Sequence, residues 1–393
     1  MKCRIICFII SLLSFLLCCN SCSNQSENVN ELAIMAGRGD VYNGLFYSFY
    51  GNTISYIDCK VDITPIPLCS DSLCSHKDES CPAYFPDLGR RLLLINSLES
   101  EKNSKFPIIY VSCCYGNDNR IIRFDTKTNK KNILVKNVPN FIQSIWVYNN
   151  LLFYTTFDGD NQLNIKAINM DDLRAYELKN DEKLRYYIGG IDQEHIYFTD
   201  YDGNIYRSPH DLSSKEQIGC SVTCGKVYIS IDKIFFFSNI HIGTTVKETD
   251  FLACDLYSVD KNNIHDTPTL VLENVSYIGV PVMFQYGETL FYSLCSNVVP
   301  HQSLEVFHSQ ENITSTVQLF DDGTSSIYTY NILTKESKNI IKNSDYNIGM
   351  FLGADNRYFV YSGFQYNIDE ISEHGIQTST IIVDYIDNKQ YVY

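Results

Sequence analysis

Tryptophan occurs once in the 393 residues, and cationic side chains are scarce: 31 Lys and Arg stand against 46 Asp and Glu, a net charge of −15. That balance argues against nucleic acid as a partner, because phosphate binding needs a basic surface. Acidity spread along the chain speaks for solubility instead. Apolar residues at helical spacing are almost absent, which excludes a helix bundle as the frame. After residue 22 no apolar run approaches the roughly 20 residues that a membrane-spanning helix needs. The chain also lacks a Gly-x-Ser-x-Gly elbow, a His-Glu-x-x-His helix and a glycine-rich phosphate loop, so none of those catalytic frameworks is present.

What is present begins with an address. Lys2 and Arg4 precede an apolar run from Ile5 to Leu17, which breaks into Cys18-Cys19-Asn20-Ser21-Cys22 and then a polar stretch to Asn28. A basic start, a short apolar core and a small-residue end are the plan of a secretory signal. The cysteine at the break resembles the lipobox of bacterial lipoproteins, in which the thiol carries a diacylglycerol group. Cys22, with small Ser21 before it, is the preferred lipidation residue; Cys19, with Leu16 three positions back, is the alternative. A cleaved signal without lipid is the plainer reading. The expected organisation is a signal over 1–22, a flexible tether over 23–38 and one domain over 39–393, monomeric and held at the extracytoplasmic face of a membrane.

Tyr (29) and Phe (22) are abundant, and they fall into a repeating unit. An apolar–aromatic strand leads through a polar turn to a strand of the type Ile-x-x-Tyr/Phe-Asp, then a short Thr/Lys/Asn turn and a final strand. Leu45–Ser48 with Ile54–Asp58 is the first copy; Tyr358–Ser362 with Ile381–Tyr385 and Gln390–Tyr393 is the last of seven. A period of about 50 residues made only of strands is the signature of propeller blades, whose apolar faces are covered only when neighbours stack in a ring. The fold class is therefore all-β, a β-propeller of seven blades, or six if the first copy only caps the ring. A sandwich array or irregular barrel is the alternative. Closure is expected to pair a strand near Asp40–Tyr50 with the C-terminal strand, and polar insertions are expected at 239–252 and 296–326.

The most specific local feature places Cys69, Cys74, His76 and Cys81 in a C-x4-C-x-H-x4-C array, within an insertion assigned to 68–105. Three thiolates and an imidazole are a complete tetrahedral set for structural zinc. In an exported chain, disulfides are the competing fate, and free thiols in a reducing niche are the third. All three roles are structural, since four protein ligands leave no open position on a metal. Cys220 and Cys224 form a second candidate disulfide.

The Leu-Cys-x4-Cys-x-His-x4-Cys-Pro segment, following a lipoprotein signal in a repetitive β chain, resembles clostridial-type exported propeller lipoproteins of unknown function, related to the DUF5050 and TolB-like propellers. Ser72 stands where that family has Pro. The resemblance implies a propeller and an extracytoplasmic location, and it supplies no catalytic residue.

Other signals have plainer readings. Arg38-Gly39-Asp40 is a chance integrin tripeptide, and Asp158-Gly159-Asp160, Asp202-Gly203-Asn204 and Asp321-Asp322-Gly323 are hairpin turns rather than calcium loops. Asp58, Asp125, Asp260 and Asp384 recur at one place in the repeat, where a side chain bonding nearby backbone explains them. The functional expectation is a binding propeller for a glycan, peptide or envelope protein. A carbohydrate- or peptide-directed hydrolase or lyase at the channel mouth, and a structural envelope component, are the alternatives.

Overall fold

The computed structural model describes residues 34–35 and 39–392, apart from 61–63, 70, 72, 87–90, 97–98, 101–104, 117, 139–140, 158–162, 179–185, 201, 222–226, 245–249, 277–282, 296–298, 309–312, 322–324, 345–346 and 365–377. Every regular element in it is a strand. Seven antiparallel meanders of four strands follow one another along the chain. Blade 1 holds β2 (Gly39–Tyr42), β3 (Leu45–Tyr50), β4 (Thr53–Asp58) and β5 (Ile66–Pro67), after a short β1 (Ile34–Met35). Blade 2 holds β6 (Leu92–Asn96), β7 (Ile108–Tyr115), β8 (Asp118–Asp125) and β9 (Lys130–Val138). Blade 3 is β10 (Ile142–Tyr148) to β13 (Ala175–Glu177), and blade 4 is β14 (Tyr187–Ile191) to β17 (Glu216–Ser221). Blade 5 is β18 (Val227–Ile229), β19 (Lys233–Thr244), β20 (Asp250–Asp260) and β21 (Thr269–Ser276). Blade 6 is β22 (Met283–Tyr286), β23 (Thr289–Cys295), β26 (Ser325–Asn331) and β27 (Ser337–Ser344). Between β23 and β26 it carries a separate ribbon of β24 (Val299–His308) and β25 (Ile313–Asp321). Blade 7 is β28 (Asn347–Ala354) to β31 (Lys389–Val392).

The copies legible in the sequence are the second and third strands of each blade, with the outermost strand added in blades 2, 5, 6 and 7. The innermost strands β2, β6, β10, β14, β18, β22 and β28 lie near one another around the ring, β2 beside both β6 and β28. Seven apolar clusters fill the seven junctions between blades. Leu94, Tyr110, Ile145 and Leu152 join blades 2 and 3, for example, and Val41, Phe46, Ile57, Tyr358, Val360 and Ile382 join blades 1 and 7. A blade is therefore buried on both faces. Adjacent Cys113 and Cys114 on β7 show the effect, since they point to opposite faces and both are buried.

Closure differs from the expected strand exchange. β31 stays in its own sheet as the outermost strand of blade 7, and β2–β5 form blade 1 alone. The ring shuts by face-to-face packing, reinforced where the Gly44 N–H donates to Asp355 Oδ2 at 3.0 Å. The segment 68–105 is not one insertion, because β6 lies within it. Both expected polar insertions are present, and their described residues are built as β-ribbons. β19 and β20 simply run on past the blade as a ribbon, and β24–β25 form another.

The meander fixes two faces. Connections from a first to a second strand and from a third to a fourth emerge on one side, here the hairpin face. Connections from a second to a third strand, and from blade to blade, emerge on the other, the insertion face. The recurring carboxylates sit on the hairpin face in turns. Asp58 Oδ1 accepts from Lys60 N at 2.8 Å, Asp125 Oδ1 from Lys127 N at 3.0 Å, Asp260 Oδ1 from Asn262 N at 2.8 Å, and Asp384 Oδ1 from Asp387 N at 3.0 Å. This is the local side-chain-to-backbone bonding read from the repeat. Asp200 likewise accepts the Asn204 N–H at 2.8 Å around Gly203. Asp40 turns its carboxylate toward blade 2, where Ile95 N of β6 donates to it at 3.0 Å, beside the Val41 N–H at 2.8 Å. Residues 158–160 and 322–323 lie outside the described residues.

Candidate metal centre

The array at 69–81 belongs to the connection from β5 to β6, on the insertion face. Two short Asp-led turns shape it. Asp71 Oδ1 accepts the Leu73 N–H at 2.9 Å and the Asp71 carbonyl accepts Cys74 N at 3.2 Å. Asp78 Oδ1 accepts Ser80 N at 2.9 Å and its carbonyl accepts Cys81 N at 3.1 Å. Each of Cys74 and Cys81 thus occupies the last position of an Asp-x-x-Cys turn. His76 between them has a φ of 57°, an uncommon region for a side chain of its size. The Thr53 hydroxyl donates to the His76 carbonyl at 2.9 Å and anchors that conformation to β4.

The turns bring the four side chains together. The Cys69, Cys74 and Cys81 sulfurs and one imidazole nitrogen of His76 all lie within 4.8 Å of one another. His76 Nδ1 is 3.4 Å from Cys81 Sγ, and the His76 backbone N–H donates to Cys74 Sγ at 3.4 Å. Metal–sulfur and metal–nitrogen bonds of about 2.3 and 2.0 Å set the edges of a tetrahedral site at roughly 3.5–3.8 Å. The His76 Nδ1–Cys81 Sγ pair is close to such an edge, and the three thiols are unbridged. The cluster could hold a metal ion. Burial pushes the Cys81 thiol up to about 12, with the adjacent Cys74 and Cys69 adding to it. Three crowded sulfurs cannot all ionise without a cation, and a dication among them would supply that charge.

Behind the cluster the chain wedges into the junction of blades 1 and 2. Leu68, Cys81, Ala83 and Phe85 are buried with Leu93, Ile95, Ile109 and Phe124. Leu68 N donates to the Ile54 carbonyl at 2.9 Å, Ile54 N to the Ala83 carbonyl at 2.9 Å, and Phe85 N to the Asn52 carbonyl at 2.7 Å. The Phe85 ring meets Phe124 edge-on at 5.7 Å. Lys131 of β9 caps it, with Nζ 4.0 Å from the Phe85 centroid and donating to the Tyr84 carbonyl at 2.7 Å. Burial pushes the Lys131 ammonium down, against the pull of Cys113, Cys81 and Glu79. β5 is only two residues long, so this wedge does the packing that a longer outer strand would do.

Of the other sites read from the sequence, Cys19, Cys22 and Cys224 lie outside the described residues, as does the Cys220 side chain. The pairing of Asp with each later cysteine was the signal in the sequence that gives the turns. Nothing in the spacing announced Phe85 and Lys131 as its supports.

No family model matches the sequence, and no curated protein does. Among solved structures, a prolyl endopeptidase aligns with a TM-score of 0.52 at 8% identity over 92% of this chain and 50% of its own. Oligopeptidase B of Trypanosoma brucei aligns at 0.50 and 9% identity over 91% and 48%. The chain spans about half the length of these two peptidases. A putative TolB of Agrobacterium tumefaciens aligns at 0.36 and 12% identity over 61% of this chain and 81% of that one. At such identities the likeness is one of fold, and function has to be argued from sites.

Proposed function

We propose that the chain is an exported, lipid-tethered propeller that binds a glycan, peptide or envelope protein on its insertion face, with structural zinc at Cys69, Cys74, His76 and Cys81. The observation that carries the reading is the one-sided placement of the elaborations. The β19–β20 extension, the β24–β25 ribbon and the connection 365–377 are all second-to-third-strand connections of the adjacent blades 5, 6 and 7. In blades 1 and 2 the same connection is only two residues, 51–52 and 116–117. β24 lies beside β20, so the two ribbons rise together, and loops carried by a rigid scaffold are where binding surfaces are built.

The recurring aspartates favour binding over hydrolysis. Glycosidase chemistry needs two carboxyls roughly 5–10 Å apart and available to substrate, and Asp58, Asp125, Asp260 and Asp384 are engaged by turn N–H groups. A complete protein ligand set leaves zinc no position for substrate, so the metal's role is to fasten the wedge. The kinship with clostridial-type propeller lipoproteins rests on the same cysteine array.

The test is a glycan and peptide array probed with the lipidated chain and with a variant whose 299–321 ribbon is replaced by Asn-Gly. Binding that depends on the ribbon supports the proposal. Binding unchanged by its removal, or turnover of an arrayed substrate, overturns it.

A further inference from the structure

Five large apolar side chains are more than half exposed among the described residues: Leu73, Leu173, Ile231, Leu333 and Ile386. Leu73 is on the insertion face; the other four are all on the hairpin face. Scattered exposed aliphatics are ordinary, but these are placed by the repeat. Leu333 and Ile386 occupy the same turn position in neighbouring blades 6 and 7, their N–H groups donating to Asn331 Oδ1 and Asp384 Oδ1 at 3.0 and 3.2 Å. In other blades that position is Lys60, Lys127, Asp171 and Asn262, bonded in the same way. The turn therefore makes no demand for an aliphatic residue. Ile231 stands in a blade 5 turn where blades 4 and 7 have Gln193 and Asn356. Leu173 has a φ of 59°, where blades 2 and 7 have Asn129 and Asn388. A leucine there is neither the residue the backbone prefers nor one the core requires.

The direction of β1 says what lies opposite these tips. β1 pairs antiparallel with the innermost strand β10, Ile34 opposite Val147 and Met35 opposite Trp146. β10 runs from the insertion face toward its turn at Asn149–Asn150 on the hairpin face, so β1 runs the other way. Ile34, the first residue of β1, therefore marks its hairpin-face end. Cys22 is 12 residues before Ile34, a reach of at most about 40 Å when fully extended.

We infer that the hairpin face rests on the lipid surface, with Ile231, Leu333 and Ile386 of adjacent blades and Leu173 of blade 3 dipping into it. The insertion face then points away from the membrane. The inference builds on the lipid-tether reading and adds the orientation of the tethered domain. Acidic neighbours such as Asp171, Asp172, Asp232 and Asp387 make charge attraction to anionic lipid unfavourable, so contact rests on the tether and on apolar insertion, which reaches about 5–10 Å into the interface.

The test uses the full lipidated chain on phosphatidylcholine vesicles with brominated acyl chains, in variants Leu333→Trp, Ile386→Trp and Leu73→Trp. Trp146 supplies a constant background. Flotation with the vesicles reads the tether, and quenching reads the orientation. The expected result is that the protein floats, that Leu333→Trp and Ile386→Trp emission is largely lost and blue-shifted, and that Leu73→Trp emission is not. Leu333→Asn with Ile386→Asn is expected to keep the unfolding midpoint and shorten retention on the vesicles. A chain that floats with Leu73→Trp quenched as strongly as the other two, or with none of them quenched, overturns the orientation alone. A chain that does not float overturns the tether and the orientation with it.

Discussion

A Cβ on Gly353 would lie 2.7 Å from Asp40 Cα, so the innermost strands of the first and last blades meet backbone to backbone. This approach, together with the Gly44–Asp355 bond, closes the ring without exchanging a strand. Gly353→Ala sets a methyl against Asp40 Cα and, at 2.9 Å, Val41 N, neither of which can step aside as a side chain tip could. The expected loss is about 1–3 kcal/mol, typical of overpacking. It should appear as a lower denaturant midpoint at unchanged slope; a midpoint equal to wild type would remove this contact from the closure.

Asp40 makes the neighbouring junction of blades 1 and 2 pH-dependent. Burial at the junction pushes its carboxyl from the ordinary 3.8 up to about 7, against the bonds from Ile95 and Val41. A carboxyl whose folded pKa is raised contributes fully below its unfolded value, and the contribution is lost as pH rises toward the folded one. That interval corresponds to at most about 4 kcal/mol, and because the side chain is only partly buried the measured loss is smaller. Unfolding free energies measured between pH 4 and 7.5 should fall in the wild type and stay flatter in Asp40→Asn. Parallel profiles would contradict the assignment.

The opposite sign holds between blades 4 and 5, where Lys261 ion-pairs with Asp192 in a largely buried site. Burial alone would raise Asp192, but Lys261 and the His195 and Glu194 N–H groups hold it below its ordinary range. Its contribution is complete above pH 3.8 and disappears as pH falls through the depressed value. Removing one partner of such a pair costs about 3–5 kcal/mol because the other is left buried and charged. Lys261→Met should therefore lower stability by that order at pH 7, with Lys261→Met/Asp192→Asn recovering much of it. A double variant no more stable than the single one would sink this reading.

The strands found in the sequence are apolar–aromatic runs, buried on both faces, with polar turns at their ends, such as Leu151–Phe157 or Tyr358–Phe364. The missed strands are the innermost ones, where packing replaces pattern, and the outermost strands β5, β13 and β17 of blades 1, 3 and 4. In β14, Gly189 and Gly190 read as breakers, but a Cβ at either would lie 2.2 Å from Val227 Cγ2 or 2.5 Å from Ile229 Cγ1 on β18. Glycine is there to let two strands approach closely. The four-residue β2 and β22 are too short for periodicity to register. Ring closure by packing, and the path of β1 along β10, depend on contacts between residues about 110 and 310 positions apart, which no local pattern encodes. The metal ligands were legible because their chemistry is rare and their spacing compact. Phe85 and Lys131, which hold the wedge they fasten, resemble any other apolar and cationic residues.

If the wedge between blades 1 and 2 is fastened through a metal, losing one ligand should act on it from a distance. Cys74 is only partly buried, so Cys74→Ser removes little apolar packing. It should nonetheless lower the unfolding midpoint as far as chelator does, with no further effect of chelator on the variant. Additive losses would mean that the metal and Cys74 act separately.

The decisive measurement is on the centre itself: metal content, thiol titration and the spectrum of the cobalt-substituted form, on the full chain purified without chelator. The expected result is one tightly held zinc per chain, with intense tetrahedral d–d bands and sulfur-to-cobalt charge transfer from three thiolates and one imidazole. All three of Cys69, Cys74 and Cys81 should become titratable only after the metal is removed. A chain free of metal, with two of those three thiols missing from the titration until reductant is added, would show a disulfide in its place.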